Sequence, residues 1–194
     1  MLSNYELSLI LSIEQRLNFP ELSLVRSIAF ETGGTFSTSI KNGTSGAVGL
    51  IQFLESTAEG LEKGLYQRLP LMSVTEQLVY VEKYFQQFLK VYKKPPRTAF
   101  DVYALMLHPP LYNQDDNTVF AVQGTKRYDW NKGFDLDHNG TISKGEVKKK
   151  WEAATNKLLK SSKIPITTVT ARGFIAISLA VFLLAMYYVL SMPR

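Results

Sequence analysis

The chain has 194 residues, long enough for one compact domain and an additional segment, and its 45% hydrophobic content is sufficient for a buried core. A net charge of +5 favours a polyanionic partner, such as bacterial wall, anionic lipid or nucleic acid. The absence of cysteine excludes disulfides and thiolate chemistry. Residues 1–18 lack a basic start and carry two acids, so we expect no secretory signal there.

Two helices are predicted at the start of the chain, and the second ends on an acid. Leu2–Leu17 is rich in Leu and Ile, and Glu21–Glu31 places apolar residues on one helical face. Glu31 thus adjoins both an apolar surface and a loop rich in Gly, Ser and Thr. Because apolar surroundings disfavour the ionised form, the pKa of such a carboxyl rises and it can donate a proton near neutral pH. The structural alternative is a helix end with a glycine stop at Gly33.

Three further helical segments are predicted before residue 110. The apolar run Gly49–Phe53 opens the first of them. Ser73 and Glu76 form a capping box at the start of a long helix that ends before the prolines at 95 and 96. A second cap at Thr98 opens a short apolar helix. The apolar stripes of these helices predict core packing.

Residues 135–146 match the twelve-residue calcium loop of EF-hand proteins at every position. Oxygen ligands are predicted from Asp135, Asp137, Asn139, the Thr141 carbonyl, Ser143 through a water, and Glu146 as a bidentate pair. The preceding segment, 124–133, makes a poor entering helix, and no second loop of this kind occurs in the sequence. We therefore expect a structural Ca²⁺ clamp rather than a calcium switch. The alternative is a polar turn that binds no metal.

The C-terminal part is predicted to attach the protein to a membrane. Residues 124–163 comprise the calcium loop and a basic helix, and residues 164–172 read as a linker. Residues 173–192 then form a predicted transmembrane helix, because the 18 residues from Gly173 to Leu190 carry no charge. At ~1.5 Å per residue they span about 27 Å, close to the hydrocarbon thickness of a bilayer.

Two groups of motifs resemble a known enzyme family. The first is Glu31-Thr-Gly-Gly34, then Gly46-Ala-Val-Gly-Leu-Ile-Gln-Phe53, then Thr57-Ala58. The second comprises residues 77–85 and 101–109. Together they resemble goose-type lysozymes and lytic transglycosylases, and most closely the phage wall-degrading proteins of that group. Thr32 stands where Ser is commoner, which keeps the hydroxyl.

The resemblance implies a lysozyme-like α+β fold that is mainly α, with the catalytic domain in residues 1–123. It implies that Glu31 is the catalytic acid and that Gly49, Gln52 and Phe53 bind substrate. A helix with a Tyr at the position of Tyr103 lines the cleft in that group, so Tyr103 is the candidate ring for contacting the sugar or the acid. A core ring with a satisfied hydroxyl is the equal alternative. His108 is given no role.

The reaction implied is cleavage of the β-1,4 bond between N-acetylmuramic acid and N-acetylglucosamine. Most glycosidases add a second carboxylate, for which Glu55, Glu59 and Asp101 are candidates. Glu55 and Glu59 are expected to be solvated and Asp101 to cap its helix. The resembling transglycosylases use one Glu and close a 1,6-anhydro ring, so we expect a lytic transglycosylase. Hydrolysis by a muramidase is the close alternative.

The predicted anchor bears on where the enzyme acts. Basic residues lie mainly before the apolar segment, so the positive-inside tendency keeps the enzyme domain cytoplasmic, away from the wall. A virion-associated enzyme, in a virion membrane or an injection device, would reach the wall during genome delivery. A host-lysis enzyme and a non-catalytic wall-binding or structural membrane protein are the alternatives. The expected partners are peptidoglycan strands, a lipid bilayer through residues 173–192 and other virion proteins, with no specific nucleic acid.

Overall fold

The computed structural model describes residues 2–161, and this part of the chain is mainly helical. The eight α-helices within it are α1 (Asn4–Arg16), α2 (Ser23–Glu31), α3 (Glu55–Leu61), α4 (Leu65–Arg68), α5 (Val74–Tyr92), α6 (Ala99–Leu107), α7 (Lys126–Asn131) and α8 (Lys144–Ser161). Strands β1 (Val119–Val122) and β2 (Thr141–Ser143) form an antiparallel sheet. Short 3₁₀ turns lie at Leu69–Leu71, Pro109–Leu111 and Lys132–Phe134. The predicted mainly α fold is confirmed.

The predicted helix starts at residues 74 and 99 are confirmed by their hydrogen bonds. Ser73 and Glu76 exchange side-chain and backbone bonds at the start of α5, and Thr98 and Asp101 do so at the start of α6. Each pair satisfies backbone N–H groups that the first helical turn leaves without a partner. These signals lie within four residues of each other, which is why the sequence alone locates them.

Helix α2 is the central element of the fold. It packs against α1, α6 and α8, and its residues Leu24, Val25 and Ile28 are fully buried. Its N-terminus is capped from α1, where the Glu14 carboxylate accepts backbone N–H bonds from Leu22, Leu24 and Val25 at 2.6–3.2 Å. A helix enclosed in this way fixes the position of the residue at its other end, which is Glu31.

The segment Gly49–Phe53 is not the start of a helix, which corrects the prediction made from its apolar spacing. It forms a tight turn closed by backbone bonds between Val48 and Phe53, and α3 begins only at Glu55. The reason is the left-handed backbone of Gly49 (φ +86°) and Gln52 (φ +53°), which a helix cannot contain. The apolar residues of the run are buried as a turn.

Strand β1 is an element that the sequence reading did not predict. It pairs with β2 in the register Val122 to Thr141 and Ala121 to Ile142. The predicted boundary at residue 123 lies inside a single core that joins α6, the sheet and α8. The buried residues of this core are Phe100, Tyr103, Ala104, Leu111, Phe120, Ala121, Ile142, Val147 and Trp151.

Within residues 2–161, no helix combines the length and apolar character needed to cross a bilayer. The predicted linker (164–172) and transmembrane helix (173–192) lie outside the described residues. Helix α8 accounts for the predicted basic helix as far as Ser161.

Candidate active site and metal loop

Glu31 is the last residue of α2 and lines a groove of about 470 Å³. One wall comes from the loop and helix start at residues 42–57, and the other from the end of α6, from β1 and from α7. The residues lining the groove are Glu31, Asn42, Thr44, Ser45, Ala47, Ile51, Gln52, Phe53, Leu54, Thr57, Tyr84, Met106, Leu107, His108, Phe120, Lys126, Arg127, Trp130 and Asn131. The predicted acid therefore adjoins a cavity of a size that small-molecule sites have.

Burial raises the pKa of Glu31 to about 7. The desolvated carboxyl favours its neutral form, while a hydrogen bond from the Tyr103 hydroxyl acts in the opposite direction and favours the carboxylate. The side chain keeps partial contact with solvent through the groove. A carboxyl in this state can release a proton to a ligand and take one back near neutral pH.

Tyr103 connects the acid to the core. The ring is 1% exposed, does not line the groove, and stacks on Trp151 of α8 with centroids 5.4 Å apart and planes 21° apart. Phe30 packs edge-on against it at 5.2 Å. On its other side Trp151 meets the Arg26 guanidinium, 4.8 Å from its ring centroid. The Tyr103 hydroxyl therefore contacts the acid, while its ring is buried in the core.

The turn at residues 49–53 supplies part of the groove wall. Gln52 and Phe53 line the groove as the predicted substrate-binding role requires. The Gln52 amide donates to the carbonyls of Gly49 and Ile40 at 3.0 and 3.3 Å, so it also stabilises the turn. Gly49 is buried and lies behind the wall. A Cβ at Gly49 would lie 2.5 Å from the Gln77 carboxamide oxygen, so this position requires glycine for close packing.

Gln77 of α5 holds this wall in place, a role that sequence reasoning did not identify. The side chain is fully buried and accepts a bond from the Leu50 amide at 3.0 Å. Its amide group donates to the carbonyls of Thr38 and Leu69 at 2.8 and 2.6 Å. A buried amide in an otherwise apolar helix face was the available signal, because such a group needs partners.

Among the groove-lining residues within the described part of the chain, 2–161, Glu31 is the only carboxyl. The three candidates for a second acid lie elsewhere. Glu59 accepts the amides of Gly64 and Tyr66, and Asp101 caps α6. Glu55 is exposed at the start of α3.

The far wall brings cations into the groove that the sequence reading left without a role. Lys126, Arg127 and Trp130 of α7 line it, together with His108 after α6. Burial and the nearby Arg127 lower the pKa of His108, which keeps its ring neutral at pH 7. A Lys-Arg pair followed by a Trp three residues later was the available sequence signal, but only the fold turns it towards Glu31.

The predicted calcium loop brings three acids together. Carboxylate oxygens of Asp135, Asp137 and Glu146 lie within 4.8 Å of one another, a spacing that can hold a metal ion. Asp135 is 4% exposed, and its Oδ2 accepts bonds from the Tyr128 hydroxyl at 2.6 Å and the Gly140 amide at 3.0 Å. Its Oδ1 is buried and has no hydrogen-bond partner among the described residues. A buried oxygen with a free lone pair is expected at a cation ligand.

The other predicted ligands shape the same loop. Asn139 Oδ1 accepts the Thr141 amide at 2.7 Å, and the Ser143 hydroxyl donates to Glu146 Oε2 at 2.8 Å. Glu146 Oε1 accepts the Leu136 amide at 2.9 Å, so both of its oxygens are turned into the loop. Gly140 adopts φ +83°, the left-handed conformation expected at the sixth loop position. Hydrogen bonds from Tyr128 and from loop amides lower the pKa of Asp135 and hold it ionised.

Strand β1 provides the antiparallel partner strand that a second calcium loop would provide in a paired EF-hand. Residues 141–143 of the loop form β2, whose antiparallel partner is β1, and Ile142 is fully buried between them and α8. The single loop is thereby connected to the core that carries Tyr103 and Trp151. This explains how one loop can be stable without a paired copy.

No protein-family profile matches this chain, and no curated protein or solved structure is significantly similar to it.

Proposed function

We propose that the protein is a peptidoglycan-cleaving glycosidase, and specifically a lytic transglycosylase, with Glu31 as its acid and base. The observation that carries the proposal is a single carboxyl in a groove of about 470 Å³, with its pKa raised to about 7 by burial. The motif resemblance agrees with this site, because its acid, its Gln52 and its Phe53 all line the groove.

In the proposed reaction, neutral Glu31 donates its proton to the oxygen that links the muramyl sugar to the next sugar. Breaking the glycosidic bond leaves a carboxylate, which the Tyr103 hydroxyl stabilises by hydrogen bonding. The carboxylate then takes the proton from the muramyl C6 hydroxyl. The C6 oxygen bonds to C1 at the same time and closes a 1,6-anhydro ring. Glu31 ends neutral, so one group serves both steps and no second carboxylate is needed.

Hydrolysis is the second candidate reaction. Glu31 would then deprotonate a water instead of the C6 hydroxyl, and the product would carry a reducing end. The absence of a second acid among the groove-lining residues favours the internal attack, because hydrolytic glycosidases generally use a carboxylate pair.

The test compares the full chain, solubilised in a non-ionic detergent, with Glu31→Gln and Glu55→Gln on purified peptidoglycan. We expect 1,6-anhydro products by mass spectrometry from the wild type and from Glu55→Gln. Glu31→Gln should release at least about 100-fold less, the scale of a lost general acid. Glu55 is the matched control, since it is an exposed acid that does not line the groove.

The same experiment contains the outcomes that contradict the proposal. Reducing-end products from the wild type would select the muramidase. Equal release by wild type and Glu31→Gln would remove Glu31 from the chemistry. If no form releases product while all bind the wall, the protein is a non-catalytic wall-binding module.

We also propose that residues 135–146 bind Ca²⁺ as a structural ion. The donor set consists only of oxygens, which suits a hard cation, and the unpartnered Asp135 Oδ1 fits a first ligand position. Asp135, Asp137 and Glu146 would hold the ion, with Asn139, Thr141 and Ser143 completing the set. The ion would connect the loop before β2 to the start of α8. Its role is to order this segment, and no catalytic step passes through it.

The membrane anchor at residues 173–192 and a virion-associated role in genome delivery remain proposals from the sequence. Vesicle flotation of the full chain and of a chain ending at residue 163 tests the anchor. We expect only the full chain to float at high salt, where the basic residues of α8 are screened.

A further inference from the structure

The groove has a charged wall that the proposed proton transfer does not require. Lys126, Arg127 and Trp130 stand on the α7 side of the groove. The lining residues between positions 42 and 57 carry only uncharged side chains. The cationic side chains of the described lining therefore all come from α7.

The two cations are not neutralised by protein acids. In residues 2–161, no ion pair includes Lys126 or Arg127. Arg127 donates Nη1 to the Phe120 carbonyl at 3.2 Å, which leaves further N–H donors of its guanidinium. The Lys126 ammonium lies 4.6 Å from the centroid of the exposed Trp130 ring. Both charges are therefore positioned by aromatic and backbone contacts.

Glu31 does not neutralise them either. No ion pair within residues 2–161 joins Glu31 to either cation. Because Glu31 has a pKa of about 7 and the lowered pKa of His108 keeps that ring neutral, the described lining carries two positive charges beside an acid that is only partly ionised near pH 7. Such a surface attracts an anionic group of the ligand.

The chemistry of the proposed substrate limits what that anion is. A strand of N-acetylated sugars is uncharged along its backbone. Its carboxylates lie on the substituent of the muramyl sugar, either on the lactyl group itself or on the peptide attached to it. Both sources present the planar anion that an Arg guanidinium binds through paired hydrogen bonds.

We propose that α7 forms a carboxylate-binding subsite for the muramyl substituent, with Lys126 and Arg127 as the cationic contacts and Trp130 as the flanking ring. This inference rests on the proposed glycan-strand function. It adds that the enzyme selects strands by the charge of their substituents, and that the selecting residues are distinct from the acid that cleaves.

The first test measures binding without turnover. Full-chain Glu31→Gln is titrated with three soluble strand preparations: peptide-bearing strands, the same strands with their carboxyls amidated, and strands whose peptides were removed by an amidase to leave the lactyl carboxylate. We expect about five-fold weaker binding of the amidated strands, the scale of one or two exposed ion pairs. Tight binding of the stripped strands would show that the subsite binds the lactyl carboxylate. Weak binding of these strands would show that it binds a carboxylate of the peptide.

The variants assign the preference to residues. Adding Lys126→Gln and Arg127→Gln should lower affinity for peptide-bearing strands about five-fold and leave amidated strands unchanged. Lys132→Gln is the control for each single variant, because it removes one positive charge just after α7 from a residue outside the groove. In the active protein the double variant should raise KM with kcat kept within about two-fold.

Three results would overturn the subsite: equal binding of all three strand preparations, equal losses on native and amidated strands in the double variant, or the same loss from Lys132→Gln. The outcome is separable from that of the catalytic proposal. A carboxylate preference without product release would support the subsite and contradict the proposed enzymatic activity. Product release without the preference would support the activity and contradict the subsite.

Discussion

The groove and the metal loop use the same kind of side chain in opposite charge states. In the groove, Glu31 has one hydrogen-bond donor, Tyr103, and burial raises its pKa to about 7. In the loop, Asp135 accepts from Tyr128 and from backbone amides, which lower its pKa. The balance between desolvation and hydrogen bonding therefore sets the pKa: desolvation outweighs the hydrogen bond at Glu31, whereas hydrogen bonds outweigh desolvation at Asp135. A neutral acid can transfer a proton, whereas ionised acids can hold a cation.

The largest expected effect is the response of the loop to Ca²⁺. Calcium at about 1,000-fold above its Kd should raise the free energy of unfolding by about 4.1 kcal/mol, because the ion binds only the folded loop. Asp135→Asn should abolish this response, as read by thermal melts with Ca²⁺ or a chelator. Asp129→Asn is the control, since Asp129 is an exposed acid on α7 outside the carboxylate cluster. A full response in Asp135→Asn would contradict the assignment.

The next effect concerns pH and tests the neutral acid. The pKa of Glu31 is raised from 4.5 to about 7 on folding, so the folded state binds more protons between these values. Stability is therefore lost as pH rises through this window. At pH 8, Glu31→Gln should recover up to about 3 kcal/mol of the lost free energy of unfolding. At pH 4 it should change the free energy of unfolding little. Denaturant unfolding at both pH values measures it.

Glu14 sharpens this prediction. Burial raises the pKa of Glu14 to about 7 as well, against three backbone donors, but the residue does not line the groove. Glu14→Gln should also flatten the dependence of stability on pH, yet retain glycan cleavage. A raised pKa without access to the groove would then be shown to be insufficient for catalysis. Loss of cleavage in a folded Glu14→Gln would weaken the comparison.

The connection between the two regions predicts a smaller effect. Trp151 of α8 stacks on Tyr103, and within residues 2–161 its buried indole N–H has no hydrogen-bond partner. Trp151→Phe therefore loses packing but no hydrogen bond, and should cost about 1–3 kcal/mol. Trp130→Phe, at an exposed ring, should stay within about 0.5 kcal/mol. Equal costs at the two positions would argue against α8 as support for the site.

The smallest effect separates the hydroxyl of Tyr103 from its ring. The hydroxyl favours the charged form of Glu31, so Tyr103→Phe should raise the pKa of the acid further. The basic limb of the kcat profile should move to higher pH by about half a unit, with about 1 kcal/mol of stability lost. Tyr112→Phe is the control, because its hydroxyl bonds to the Lys94 carbonyl away from the groove. A basic limb that stays in place would show that this bond does not tune Glu31.

The features that the sequence by itself determined are local ones. The caps at Ser73 and Thr98, the acid at the end of α2 and the twelve-residue spacing of the metal loop each depend on residues near one another in the chain. Physical rules for such features require no knowledge of distant contacts.

Only the tertiary structure decided the environment of those features. The pKa of Glu31 depends on burial and on Tyr103, more than 70 residues away. The loop strand β2 pairs with β1, which lies before α7 in the chain. In the turn at residues 49–53, the buried Gln77 side chain leaves no room for a Cβ at Gly49. The protonation of Glu31, the pairing of β2 and the close packing at Gly49 depend on which distant side chains exclude water or donate hydrogen bonds. The periodicity of the sequence does not encode these distant contacts.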